Sequence, residues 1–186
     1  MIIKSYILEN DPKKTIKSKS ILFYGVNIGL KKYFKGIIKE YNKQDLVKNF
    51  NQEELISNKS ILYNEIDNPS LFNEDKCIFI EGATDKIFSY LEPIIEELKN
   101  NKVIILADAL DKRSKLRNYY EKSKTAIAVA CYEDNEITIK KIITNKLKDF
   151  RGLSTENINL ILDSCGLDRV KLENELSKIN TFFINK

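Results

Sequence analysis

Residues Gly25-Val26-Asn27-Ile28-Gly29-Leu30-Lys31-Lys32 form the first stretch whose types and spacing could do chemistry. Glycines near a lysine, after an apolar run, are the material of a phosphate-binding loop. Backbone N–H groups cradle the phosphates, the lysine meets the terminal ones, and a hydroxyl after it holds magnesium. That loop needs Gly-x-x-x-x-Gly-Lys-Ser/Thr. Here Gly29 stands one residue early, Leu30 separates it from Lys31, and Lys32 occupies the hydroxyl position. A later strand should end in Asp-Glu to hold metal and orient water, but Cys77-Ile78-Phe79-Ile80 ends in Glu81-Gly82. The parts that phosphoryl transfer requires are missing or displaced. The loop at Gly25, Gly29 and Lys31 is therefore expected to be degenerate, with no ATP binding or hydrolysis, no catalytic residue and no cofactor.

Other chemistries are narrower still. The chain has no histidine, which removes imidazole acid–base catalysis, His-paired nucleophiles and His ligands for zinc. Cys77, Cys131 and Cys165 lie far apart and fit no metal-ligand spacing. Two of them, Cys77 and Cys131, sit inside apolar runs, where Cys behaves as a small hydrophobe. All three are expected to be reduced and structural, and no metal site is expected.

Two stretches could bind macromolecules. Lys112, Arg113, Lys115 and Arg117 recur every few positions and could cover one helix face, either touching a nucleic-acid backbone or facing solvent and acidic neighbours. Leu71 and Phe72 follow Pro69 and are bounded by Asn68, Ser70, Asn73, Glu74 and Asp75. Two large apolar side chains on one short turn cannot both point inward, so at least one should be exposed. An apolar pair with a polar rim has the makeup of a binding hot spot, though the pair could also plug a sheet edge.

The elements that must carry these residues alternate. Ser20–Gly25, Asp45–Phe50, Lys76–Gly82, Lys102–Asp108 and Thr125–Cys131 read as five strands, most of them unbroken apolar runs of the kind buried on both faces of a parallel sheet. Helical spacing covers Asn27–Tyr41, Gln52–Ile66, Asp85–Asn100 and a basic helix Asp111–Lys122. After Tyr132 the character changes to three amphipathic segments, Asn135–Phe150, Ser154–Ser164 and Asp168–Asn185, with Gly152 and Gly166 between them. The pattern predicts an α/β domain over residues 1–133, with a parallel five-stranded sheet and helices on both faces, then a three-helix domain over 134–186.

Composition agrees with a folded, soluble protein. The 186 residues are 42% hydrophobic and 31% charged, with only 6 Gly and 3 Pro, which excludes collagen-like and disordered classes. No apolar run is long enough for a membrane span and the N-terminus lacks a signal core, so a cytoplasmic location and no membrane partner are expected. The net charge of +4 hides a gradient: residues 1–50 carry +7, 51–100 carry −7 and 101–150 carry +4. A basic face could lie near nucleic acid. From the residues alone, a divergent nucleotide-binding phosphotransferase using the Gly25–Lys32 loop and a DNA-binding module using the basic helix both remain open.

Four stretches together bear a resemblance. Ile21-Leu22-Phe23-Tyr24-Gly25, Asn68-Pro69-Ser70-Leu71-Phe72, Leu106-Ala107-Asp108-Ala109-Leu110-Asp111-Lys112-Arg113-Ser114-Lys115-Leu116-Arg117 and Leu172-Glu173-Asn174-Glu175-Leu176-Ser177-Lys178-Ile179 occur in that order. This series resembles the delta-subunit family of the bacterial DNA polymerase III sliding-clamp loader. The resemblance implies an AAA+-like domain with a ruined phosphate loop, then a lid domain. It implies a non-catalytic subunit of the replication machinery that does not hydrolyse ATP. It also implies a beta sliding clamp as partner, contacted by Leu71 and Phe72, with gamma/tau and delta-prime subunits beside it and primed DNA met indirectly. On this resemblance Lys112, Arg113, Lys115 and Arg117 would touch DNA or a neighbouring subunit. Asp108 and Arg169 lie near where active relatives sense nucleotide and are expected to be structural or inherited. The family's helical collar domain is expected to be absent from this chain, which would leave it monomeric and unable to assemble with gamma or tau alone.

Overall fold

The computed structural model describes residues 1–13, 18–42, 46–58, 60–68 and 75–183. The chain divides into two compact units, one of Met1–Val26 with Lys31–Cys131 and one of Asn27–Leu30 with Tyr132–Lys186.

The first unit is built on a six-stranded sheet. Its strands are β1 (Ile2–Lys4), β2 (Ser20–Tyr24), β3 (Leu46–Asn51), β4 (Lys76–Ala83), β5 (Lys102–Ala107) and β6 (Ala126–Ala130), in spatial order β1-β6-β2-β5-β4-β3. The paired strands all run parallel. Burial explains the apolar runs: every residue of β2 is buried, because β2 lies between β5 and β6 and both its faces are covered. Side chains alternate across the pleat. Leu22 and Tyr24 join Ile78, Ile80, Val103, Ile105, Leu116 and Tyr120 in the core on one side. On the other side Phe23 stacks on Phe34 of α2 (Ile28–Tyr41), with ring centroids 5.0 Å apart.

The sheet is α/β and parallel as expected, but it has six strands rather than five. The added strand, Ile2–Lys4, buries only Ile3, so three residues gave no readable apolar run. No residue of edge strand β3 is buried, which is why its sequence signal was weak. The single helix read over Gln52–Ile66 is two, α3 (Gln52–Ser57) and α4 (Ser60–Asp67). Asn58 closes the first by donating its N–H to the Glu54 carbonyl. The next helix, α5 (Asp85–Glu97), stops short of Asn100. The basic helix starts later than read, as α6 (Lys115–Lys122). Asp111 Oδ1 accepts the Arg113 N–H at 2.7 Å and the Asp111 carbonyl accepts the Ser114 N–H. This Asp-led turn competes with helix and wins until Ser114 caps it. A short α1 (Ser5–Asn10) follows β1.

The second unit packs α7 (Glu136–Leu147), α8 (Thr155–Cys165) and α9 (Arg169–Phe183) around Ile139, Ile143, Leu147, Leu162, Cys165, Leu172 and Leu176. Side-chain caps start each helix. Asn135 accepts from Thr138 N–H at 2.9 Å, Ser154 from Asn157 N–H at 3.2 Å, and Asp168 from Val170 N–H at 2.8 Å. Gly166, with φ of 59°, ends α8 in the left-handed region that favours glycine. All three cysteines are free and buried.

Candidate functional site

In parallel sheets, ligands are held beyond the carboxyl ends of the strands. At that end of β2, Tyr24 lies in register with Ala107 of β5 and Ala130 of β6. Gly25 follows, at φ 130°, donating its N–H to the Asp108 carbonyl at 3.2 Å. Cys131 in turn donates its N–H to the Tyr24 carbonyl at 2.7 Å, and a Cβ on Gly25 would run into the Cys131 carbonyl. Glycine is thus demanded here by a protein neighbour, through both the close approach and the positive φ. Lys31 is committed as well. Its buried ammonium donates to the Ala107 carbonyl and to Asp108 Oδ1, both at 2.9 Å. Glu81, the acid at the end of β4, pairs with Lys35 at 2.5 Å.

In the second unit the first turn of α2 is closed in the same way. Asn27 Oδ1 accepts the Leu30 N–H at 2.9 Å, so a neutral side chain satisfies a donor that a phosphate would otherwise meet. The Asn27 amide donates to the Tyr132 carbonyl at 3.0 Å and to Asp134 Oδ2 at 2.7 Å. Asp134 forms a two-pronged ion pair with Arg169, Nε to Oδ2 at 2.6 Å and Nη2 to Oδ1 at 2.8 Å. Gly29 packs against the Arg169 stem, where a Cβ would collide with the Arg169 Cβ. Sequence reading missed Asp134 and the cap by Asn27. An Asn ahead of an apolar-periodic helix is a readable cap signal, whereas nothing in the sequence pairs Asp134 with a residue 35 positions on.

The basic stretch does not form one helical face. Lys112 and Arg113 sit in the turn before α6, exposed with Lys115, which opens the helix. Arg117 is half-buried: Nε donates to Glu121 Oε1 at 2.8 Å, Nη1 to the Leu110 carbonyl at 3.1 Å, and the guanidinium lies 4.9 Å from the Tyr24 ring centroid. Glu121 also accepts from Tyr24 at 2.9 Å. Burial works against its charge, but the hydrogen bonds from Arg117 and Tyr24 and the nearby cations outweigh it and hold its pKa below 4.5. Asp85 caps α6 from another element, accepting from Ser114 Oγ at 2.6 Å and Leu116 N–H at 3.0 Å. Those bonds likewise outweigh burial and keep its carboxyl below the usual value.

Leu71 and Phe72 lie outside the described residues, between Asn68 and Asp75. The flanks of their segment are tied down. Lys76 Nζ donates to the Asn68 carbonyl at 2.9 Å, the Glu65 carbonyl at 2.6 Å and Glu65 Oε2 at 3.1 Å. Asn101 bridges the same flanks, accepting the Lys76 N–H at 2.9 Å and donating to the Ile66 carbonyl at 3.0 Å. Among the described residues, no group of three or more Cys, Asp or Glu could hold a metal ion, and no helix is long and apolar enough to cross a membrane.

No family model matches the chain. It is 25% identical over 169 residues to the probable DNA polymerase III subunit delta of Rickettsia prowazekii, a match covering 89% of this chain and 51% of that protein. The chain thus spans about half the length of the curated relative it matches. Among solved structures, the DNA clamp loader delta protein of Bacillus subtilis superimposes with a TM-score of 0.66 at 18% identity, over 98% of this chain and 58% of that one. Domain III of the Thermotoga maritima replication initiation protein DnaA gives a TM-score of 0.48 at 12% identity, over 96% of this chain and 80% of that one. The parallel α/β sheet flanked by helices, with the helices that follow it, is a clamp-loader delta-like fold.

Proposed function

We propose that the chain is the delta component of a bacterial sliding-clamp loader, binding and opening the beta clamp without binding or hydrolysing ATP. The observation that carries this reading is the delta-like fold along 98% of the chain. The weaker sequence likeness to a delta subunit supports it. The loop chemistry supports the nucleotide-independent part: both loop glycines, Lys31 and the Leu30 N–H answer protein neighbours. The same commitments weigh against a phosphotransferase. On this reading Leu71 and Phe72 fill an apolar pocket of the clamp, and the clamp opens because they bind an open form better than a closed one. Lys112, Arg113 and Lys115 are exposed and available to DNA backbone or a neighbouring subunit, whereas Arg117 serves the fold. Gamma/tau and delta-prime are the further partners, and primed DNA is met indirectly.

The test is a pull-down of this chain with the beta clamp of the same organism, without nucleotide and with magnesium-ATP. Equal capture in both is expected. No capture, or capture only with ATP, would overturn the reading.

A further inference from the structure

Asp134 and Arg169 are the most deeply buried ion pair described in the molecule, with side chains 5% and 7% exposed. A buried guanidinium with no anion is strongly unfavourable, and its planar fork fits any small oxyanion that offers two oxygens. Here the two oxygens belong to Asp134, and one of them also takes the Asn27 amide. The other end of that amide accepts the Leu30 N–H. A continuous set of hydrogen bonds thus runs, within the second unit, from Arg169 at the start of α9 to Asn27 and Leu30, with Gly29 seated on the Arg169 stem.

We propose that Asp134 is a built-in counter-anion: within the second unit its carboxylate fills an oxyanion receptor made by Arg169 and Asn27, and so clasps residues 27–30 to the start of α9. The receptor is formed by the two donors, and the chain supplies its own occupant. Deleting the occupant while keeping the donors should leave a site for a free carboxylate. The inference stands on these residues alone and is independent of the clamp assignment.

Chemical rescue tests it on the full chain. Asp134→Ala removes one carboxylate group, and formate returns that group as a free ion. In chloride, the thermal midpoint of the variant should fall by on the order of 10 °C, as expected for breaking a buried pair in a chain of this size. Sodium formate at constant ionic strength should raise that midpoint saturably. It should also slow the amide exchange of residues 27–30, which the substitution accelerates. The unsubstituted chain and Asp134→Ala/Arg169→Met should respond to formate no more than to chloride. Where Asp134→Ala does not fold in chloride, its refolding yield against formate concentration replaces the midpoint. A variant indifferent to formate, or a response that persists once Arg169 is Met, overturns the proposal.

Discussion

Glycine at 25 and 29 and lysine at 31 are the residue types of a phosphate loop, yet each is explained by a protein contact. The types were legible in the sequence; their uses were not, because Cys131, Ala107 and Arg169 reach them only through the fold. The two α2 glycines give a contrast that tests this. Gly29→Ala places a methyl on the Arg169 stem and should destabilise by about 1–3 kcal/mol, the usual range for overpacking. Gly36→Ala, in the same helix with nothing within 4 Å of the new Cβ, should stabilise by about 0.5–1 kcal/mol. Urea denaturation of both variants checks the pair, and effects of the same sign would contradict it. Glu121 carries a pH dependence. Its folded-state pKa lies below 4.5, so its contribution is complete above that value and is lost as pH falls through the lower, folded pKa. Glu121→Gln should therefore cost stability at pH 7, and the gap to the unsubstituted chain should narrow at an acidic pH below the lowered pKa. Urea midpoints at the two pH values measure it; a constant gap would count against the Arg117 and Tyr24 contacts as the cause.

At the scale of elements, the buried parallel strands were readable because their burial leaves unbroken apolar runs, as in β2 and β5. Elements whose ends are set by polar side chains were not. The start of α6 depends on the turn at Asp111 and on a cap shared between Ser114 and Asp85, which lie 29 positions apart. The split between α3 and α4 at Asn58 is of the same kind. Lys76 also escaped sequence reading, standing at the head of an apolar strand as an ordinary charged residue. Its ammonium makes three bonds that join β4 to the end of α4. Lys76→Met keeps the buried stem and removes those bonds to the half-buried Glu65 and to the Asn68 carbonyl. We expect a loss of about 2–3 kcal/mol in urea denaturation. A loss under about 0.5 kcal/mol, the ordinary surface value, would show that the tie contributes little.

At the scale of the whole molecule, the alternation of strands and helices followed by helices alone was enough to predict an α/β sheet with helices after it. The delta-like fold agrees with that order. The partner is harder to read. Leu71 and Phe72 stand out only as an apolar pair in a polar stretch, and the reading given to them rests on their place in a delta-like chain. Burying both side chains is worth about 3–6 kcal/mol gross, at about 1.5–3 kcal/mol each. Truncating them should cost about a hundredfold or more in affinity. Surface plasmon resonance of the chain and of Leu71→Ala/Phe72→Ala against the beta clamp of the same organism is the most direct measurement, with circular dichroism to establish that the variant is folded. The account predicts nucleotide-independent binding that falls about a hundredfold or more in the folded variant; undiminished affinity in that variant would contradict it.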